Sequence, residues 1–394
     1  MVEETLSMKI RVLRIINRFN LGGPTYNVVY LSKYLDERFE TLLVGGMKDE
    51  SEGSSAYILD ELGLETRLIS NMHRSIKPSA DWKAYRELRQ IIREYKPDIV
   101  HTHASKSGTL GRLAAIHEGV PVILHTFHGH IFHSYFSSLK TKVFLFIERY
   151  LAKRSTRIIA ISTLQKKELT EEFEVCKPSK AVVIPLGFDL ARFQKDQENL
   201  RNEFRTKYEL EGDEVAIGII GRLVPVKDHM TFLKAVAHMR AKAKYRVFII
   251  GDGELRAELE SKTEELDLSN RVVFTSWITN IEFALAGLDI VALSSLNEGT
   301  PVSLIEAQAA KRAIVSTDVG GIENVVIPGE SALLSNAGNW QELSKNLQLL
   351  ADSPQKRNEM AEKGHDFVLE RFSYQRLVKD MSDLYIRLLD EVKT

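Results

Sequence analysis

Short, unbroken apolar runs recur along this chain, each followed by a glycine-bearing or polar turn and then a segment with helical spacing. In the first half the runs lie at 10–16, 41–45, 99–102, 120–126, 157–162 and 181–185. They are rich in Val, Ile and Leu without alternation, the pattern of parallel strands buried on both faces. Helices are predicted between them, for example 82–95 after Pro78-Ser79-Ala80-Asp81 and 108–118 after Lys106-Ser107. Strands alternating with helices read as right-handed βαβ units building an open parallel sheet. The segment Pro185-Leu186-Gly187-Phe188-Asp189 interrupts the pattern, and a charged stretch from Arg192 to Glu211 follows. The alternation then restarts, with strands at 214–220, 245–250, 271–275, 289–294 and 313–317 and helices at 227–242, 254–266 and 301–311. The expected class is α/β with two Rossmann-like domains, 1–189 and 190–372. A last amphipathic helix from Tyr374 to Leu389 has no strand after it, so the segment 373–394 is expected to cross back to the first domain.

Composition narrows the class. A chain of 394 residues is too long for one ordinary core, and 44% hydrophobic with 27% charged residues is a globular balance. Nothing is low-complexity and no period of 20–50 residues recurs. Met1 to Lys9 lacks an apolar signal-peptide core, and no run approaches the roughly 18–20 apolar residues of a membrane-spanning helix. A single cysteine, Cys176, excludes an intramolecular disulfide and a cysteine-based zinc site. A cytoplasmic location is expected. The formal net charge of −1 hides an asymmetry: residues 1–190 hold 27 Lys/Arg against 22 Asp/Glu, the rest 26 against 32. A basic first half suits an anionic partner, either a membrane face or a phosphate-bearing acceptor, although solvated charge varying by chance gives the same count.

Ligands of open α/β sheets sit beyond the carboxyl ends of the strands, so the loops there carry the candidate chemistry. Gly22-Gly23-Pro24 follows the first strand and precedes a helix expected near Tyr26, which lets backbone approach a ligand closely. It is not a dinucleotide fingerprint, since no Gly-x-Gly-x-x-Gly appears, and Gly251-Asp252-Gly253-Glu254 does not supply one. A nicotinamide dehydrogenase is therefore disfavoured. In the second half, Arg222 and Lys227 stand five apart on the loop after the first strand, a planar fork and a point charge suited to a diphosphate. Solvated surface is the plain alternative. The strongest signal is Glu298-Gly299-Thr300-Pro301-Val302-Ser303-Leu304-Ile305-Glu306-Ala307. Thr300 is a fitting N-cap and Pro301 a fitting first helical residue, and the free amides of such a helix start hold phosphate. Glu306, about a turn and a half further, can accept from paired hydroxyls such as those of ribose. Two carboxylates also occur in glycoside hydrolysis, but that reaction does not call for a phosphate-shaped loop with a distant Arg and Lys.

These residues resemble the GT-B retaining, nucleotide-sugar-dependent glycosyltransferases of family 4, in which Glu298 and Glu306 match an E-x7-E element. The resemblance runs in order through Gly22-Gly23, His101-Thr102-His103, His125-Thr126-Phe127-His128-Gly129, Ile184 to Asp189, Gly221-Arg222 with Lys227, Gly251-Asp252-Gly253, Asp318-Val319-Gly320-Gly321 and Glu370-Arg371-Phe372-Ser373. It implies two domains facing across a cleft, the first recognising the acceptor and the second the donor. It further implies that Arg222 and Lys227 hold the donor diphosphate, and that Glu306 binds the ribose. Glu298 with Gly299, Thr300, Pro301 and Val302 would hold the sugar hydroxyls. His128 would contact the sugar near the reacting carbon, Gly23 would lie by the phosphates, and Gly22, His103 and His130 would line the acceptor. The base would lie near Trp277-Ile278, where the sequence departs from the family pattern. The reaction implied is metal-independent transfer of a hexose-type sugar, from a donor expected to be UDP-linked, to a polysaccharide, lipopolysaccharide or lipid-linked hydroxyl. No cofactor is expected, and no Asp-x-Asp motif is present.

Two features remain open in the sequence. His125, His128, His130 and His133 have spacings that zinc could use, but no cysteine joins them and they run from strand into loop. The stretch from Ile131 to Arg157, with Phe136, Lys140, Lys142, Phe144, Arg149 and Lys153, reads as an aromatic–basic membrane surface or as a core helix with charged flanks. The rival functions are a sugar-nucleotide epimerase of the same shape and a non-catalytic nucleotide-sugar-binding partner. Epimerisation needs no acceptor, and the intact Arg222, Lys227, Glu298 and Glu306 set disfavours a binding-only protein. No basic helix or aromatic sheet motif points to nucleic acid.

Overall fold

The apolar runs become strands of two separate parallel sheets, with those at 181–185 and 271–275 lying at one edge of each. The computed structural model describes residues 9–19, 23–46, 59, 63–73, 75–128 and 138–393. The first sheet contains β1 (Ile10–Arg18), β2 (Phe39–Gly46), β3 (Thr66–Ile69), β4 (Ile99–His103), β5 (Val122–Thr126), β6 (Arg157–Ala160) and β7 (Ala181–Val183). Its order is 3-2-1-4-5-6-7, with every pairing parallel. The second contains β8 (Val215–Ile220), β9 (Tyr245–Ile250), β10 (Val272–Ser276), β11 (Ile290–Leu293), β12 (Ala313–Thr317) and β13 (Ala332–Ser335), in the order 10-9-8-11-12-13, again all parallel. The order turns back on itself between β1 and β4 and between β8 and β11. Those reversals leave crevices at the strand ends where such sheets take ligands.

The chain forms two compact units, Met1–Phe188 with Tyr374–Thr394, and Asp189–Ser373. In the first, the helix Tyr374–Lys393 lays Leu377, Met381, Leu384, Tyr385 and Leu388 against Val12, Leu31, Ile99 and Leu124 of the sheet side. The Tyr374 amide donates to the Phe188 carbonyl (3.0 Å), and its ring stacks on Tyr30 with centroids 5.1 Å apart. The last helix therefore completes the core of the first unit. In the second unit, Ile217, Ile219, Val247, Ile249, Ile290 and Val315 are buried under Phe232, Leu233, Leu343 and Leu347 from flanking helices.

Two strands were not visible as apolar runs. β3 and β13 each pair on one side only and keep inner positions partly open to solvent, so neither needs a continuous apolar sequence. The helix expected at 227–242 is also shorter. Asp228 takes a left-handed backbone (φ 45°, ψ 49°), and the helix runs only His229–Ala237. Beyond it, Asp352 accepts from the amides of Lys242 (2.7 Å) and Ala243 (3.0 Å), which ends the segment as a loop.

Candidate functional site

In the second unit the loops after β8 and β11 converge at the sheet reversal. The first turns through Pro225–Lys227 into the helix His229–Ala237, whose cap is the Asp228 side chain accepting from the Thr231 amide (3.2 Å). Ser294, just beyond β11, donates to the carbonyls of Lys227 (3.0 Å) and Asp228 (2.9 Å), and the Leu296 amide donates to Val226 (2.8 Å). These bonds fix one loop against the other. Lys227 Nζ then reaches Glu298 Oε1 at 2.5 Å, and the Ser295 hydroxyl donates to the same oxygen at 2.6 Å. Arg222, on the same loop, is exposed and has no side-chain hydrogen bond among the described residues. A carboxylate-paired lysine and an exposed guanidinium thus stand together on the loop after β8, a pair of cations of the kind that suits an anion.

The glycines after β9 and β12 build the rear of this site. A Cβ at Gly251, whose φ is 144°, would overlap the Gly221 carbonyl, and one at Gly321 would overlap the Gly299 carbonyl. The Gly321 amide donates to Glu298 O (2.9 Å) and the Leu223 amide to Asp252 O (3.0 Å). Gly251-Asp252-Gly253 and Gly320-Gly321 thus act by close backbone approach, supporting the loops that bear Arg222 and Glu298.

The helix after β11 starts one residue later than the cap residues suggested. It spans Val302–Ala309, Pro301 is its cap rather than its first residue, and no side chain caps it. Thr300 lies outside the helix because Pro301 holds an extended ψ of 94°. Its first amides therefore have no side-chain cap, and the Leu304 amide turns back to Pro301 O at 3.1 Å. Glu306 keeps 19% exposure and lies 3.4 Å from Arg192, whose Nε lies 3.1 Å from Glu282. Burial pushes the Glu306 carboxyl up to about 7 against the opposing pull of Arg192, with Glu282 adding to the rise. Trp277 is 57% exposed directly after β10, and Ile278 beside it is half-buried.

In the first unit the helix Gly23–Tyr34 begins at the glycine itself, three residues before the expected start. Gly22 and His130, like Gly129, His133 and Phe136, lie outside the described residues. β4 and β5 are buried at every position, so their polar side chains must pair with one another. His101 Nδ1 lies 2.6 Å from the Tyr385 hydroxyl and 3.2 Å from Arg14, and its Nε2 lies 2.8 Å from the Thr126 hydroxyl. His125 Nδ1 lies 2.9 Å from the Thr102 hydroxyl. His103 Nδ1 lies 2.9 Å from His128 Nε2. Burial holds His101, His103 and His125 well below the usual histidine range and brings His128 down to about 4, so all four rings are neutral. His103 has no exposed surface, and its contact in the structure is with His128 rather than with solvent. Among the described residues no group of three or more His, Cys, Asp or Glu could hold a metal ion.

The aromatic–basic segment proves to be two-faced. The helix Ser138–Arg154 buries Glu148, Leu151 and Ala152, with Glu148 paired to Arg112 at 2.6 Å. Its other face exposes Lys142, Val143, Phe146, Arg149, Tyr150, Lys153 and Arg154, while Phe144 is only half-buried. Among the described residues no helix is long and apolar enough to cross a membrane.

Sequence reasoning missed four participants. Arg192 was read only as the start of a charged stretch, and Ser295, just past the strand expected at 289–294, was not singled out. Arg14 sits as a buried cation inside an apolar run, and Tyr385 lies on the buried stripe of the last helix. The charged Arg14 within Ile10–Ile16 was the one available signal, because a buried guanidinium requires partners.

Two family models match the chain, one described as glycosyltransferase family 4 over residues 21–192 and one as glycosyl transferases group 1 over residues 201–367. An Escherichia coli protein described as UDP-Gal:alpha-D-GlcNAc-diphosphoundecaprenol alpha-1,3-galactosyltransferase is 29% identical over 82% of this chain and 83% of its own. The Staphylococcus aureus capsular polysaccharide biosynthesis glycosyltransferase CapM is 24% identical over 81% and 84%. Among solved structures, Anabaena HepE in complex with UDP superposes with a TM-score of 0.81 at 20% identity, covering 95% of this chain and 99% of that one.

Proposed function

Because the chain belongs to the GT-B glycosyltransferases of the family 4 type, we propose that it moves a hexose-type sugar from UDP to a hydroxyl of a polysaccharide or lipid-linked acceptor, with retention at the anomeric carbon. The observation that carries this reading is the Lys227–Glu298 pair at the β8/β11 reversal, with Glu306 in the helix that follows Glu298. In the proposed reaction the diphosphate displaces Glu298 from Lys227 and meets Arg222, so that two cations offset the charge growing on the leaving phosphate. Glu298, released, accepts from donor-sugar hydroxyls beside the Gly299–Val302 backbone. Glu306 accepts from the ribose hydroxyls, and Trp277 with Ile278 offers an apolar edge to the base. The first unit, which carries His128 and Gly23, is assigned the acceptor, and the second the donor.

No residue is placed as a covalent nucleophile, so retention follows a front-face path in which the leaving phosphate oxygen and the acceptor share one side of the sugar. The positive side chains supply the electrostatic role that a divalent ion has in metal-dependent transferases, and the reaction is assigned as metal-independent. The acceptor reading is supported by the Escherichia coli diphosphoundecaprenol-linked galactosyltransferase and the Staphylococcus aureus capsular polysaccharide glycosyltransferase that the chain resembles. The exposed Lys142, Phe146, Tyr150 and Lys153 face supports attachment to the inner surface of a cytoplasmic membrane, where a lipid-linked acceptor would be presented. The test is a donor screen reading nucleoside diphosphate release, with and without lipid-phosphate acceptors. Acceptor-dependent UDP release is expected. Turnover of the donor without any acceptor product would favour epimerisation instead.

A further inference from the structure

The two imidazoles of β4 form a ladder that rises from the last helix toward His128. β4 places His101 and His103 two residues apart, on the same face of the sheet. Arg14 can only donate, so His101 Nδ1 accepts and its proton lies on Nε2, facing the Thr126 hydroxyl. The Tyr385 hydroxyl closes on the same Nδ1, leaving His101 bonded at both nitrogens and immobile. Its ring lies 4.1 Å, centroid to centroid, from that of His103 and gives that ring a fixed floor. His103 in turn bonds His128, which leaves the end of β5 through Phe127, anchored by its amide to Ile159 O at 3.0 Å.

We propose that His103 is the positioning residue for His128, fixing its ring through the Nδ1···Nε2 bond and coupling its protonation to its own. The inference rests on the reading of His128 as the histidine that meets the donor sugar. Two neutral rings share one bridging proton, so the outer atoms are complementary. When His128 Nε2 carries the proton, its Nδ1 is an acceptor and His103 Nε2 bears hydrogen. When His103 Nδ1 carries it, His128 Nδ1 becomes a donor. Both outer atoms, His103 Nε2 and His128 Nδ1, are buried without a hydrogen-bond partner among the described residues. Whichever of the two arrangements is populated sets whether His128 Nδ1 offers a sugar hydroxyl an acceptor or a donor, and in both the ring is uncharged. A neutral ring suits a site beside a carbon that gains positive charge as the glycosidic bond loosens.

The test is steady-state kinetics on the full-length enzyme with UDP-sugar and acceptor, for His103→Leu, His103→Asn, His128→Leu and the double His103→Leu/His128→Leu variant. His103→Leu should lower kcat by about 10–100-fold, as misplacement of a reacting-site group does, with donor KM little changed. His103→Asn, which keeps a hydrogen-bonding atom near the place of Nδ1, should recover most of the loss. In the double variant the His103 change should add nothing to His128→Leu. A folded His103→Leu enzyme with native kcat, or losses that add in full, would overturn the positioning role while leaving His128 in place. Native turnover in His128→Leu would overturn the reading of His128 and this inference with it.

Discussion

Lys227 and Glu298, 71 residues apart in sequence, meet at 2.5 Å where the second sheet reverses its strand order. Neither is surplus surface charge, since their side chains are 22% and 10% exposed and the Ser295 hydroxyl orients the carboxylate. In the proposed reaction the pair stands in for the diphosphate, with Glu298 giving up the lysine to phosphate when the donor enters.

That exchange predicts unequal effects at the two cations. Lys227→Ala and Arg222→Ala should each raise the barrier by about 2–4 kcal/mol, the usual loss of one preorganised electrostatic group. Lys227→Ala also strands the Glu298 carboxylate and should lose thermal stability, whereas Arg222→Ala, exposed and unbonded, should not. Turnover and melting of both variants check this. Near-native turnover in Lys227→Ala contradicts the diphosphate assignment.

Glu306 predicts a pH dependence of donor binding. Its carboxyl is raised to about 7 by burial, so in the empty protein it is protonated below neutrality. A raised folded-state value means that the group's stability contribution is full below the unfolded carboxyl range and is lost as pH rises through about 7. If the ionised form accepts the ribose hydroxyls, UDP affinity should rise between pH 6 and 8, an interval set by that value. Glu306→Gln should flatten the rise, and Arg192→Gln should move it to higher pH by removing the neighbouring cation. Calorimetric titration with UDP across that interval is the measurement, and a flat wild-type profile contradicts the ribose role.

The histidines predict acid lability in the opposite sense. Burial depresses His101, His103 and His125 well below 6.5 and brings His128 and His229 down to about 4. Their stability contribution is therefore intact above the unfolded value of about 6.5 and is lost as pH falls toward 4. The melting temperature should fall across that window, and a curve flat to pH 4.5 would contradict the buried, neutral cluster.

How much of this was legible in sequence depended on burial. Inner strands such as Val215–Ile220 and Tyr245–Ile250 showed as apolar runs because both faces are covered, whereas Thr66–Ile69 and Ala332–Ser335 lie at edges and needed no such run. Lys227 and Glu298 stood out because loop chemistry is local: each follows a strand and precedes a helix, and Glu306 lies in the helix after Glu298. Their partners did not. Arg192 meets Glu306 across 114 residues and Arg14 meets Tyr385 across 371, and no spacing rule connects positions so far apart. The helix start at Val302 was misjudged by one residue because Pro301, with an extended ψ of 94°, stands outside the helix instead of opening it.

The exposed face of helix Ser138–Arg154 predicts attachment to anionic lipid. The protein should sediment with anionic vesicles at low salt and come off as ionic strength rises. Phe146→Ser, at a side chain 71% exposed, should weaken binding without lowering the melting temperature, and Lys142→Gln with Lys153→Gln should weaken it further. Turnover on a soluble acceptor should be unchanged in both. No sedimentation at low salt by folded, active enzyme contradicts the membrane role.

The central claim is retaining, metal-free sugar transfer from UDP, and the anomeric configuration of the product tests it most directly. Enzyme dialysed against EDTA would be supplied with UDP-hexoses and a lipid-phosphate acceptor, and the glycosylated product examined by NMR for the coupling at its anomeric proton. The account predicts one UDP released per sugar transferred, the donor's anomeric configuration kept in the product, and no dependence on added Mn²⁺ or Zn²⁺. An inverted product, or activity that collapses with EDTA and returns with metal, would contradict it.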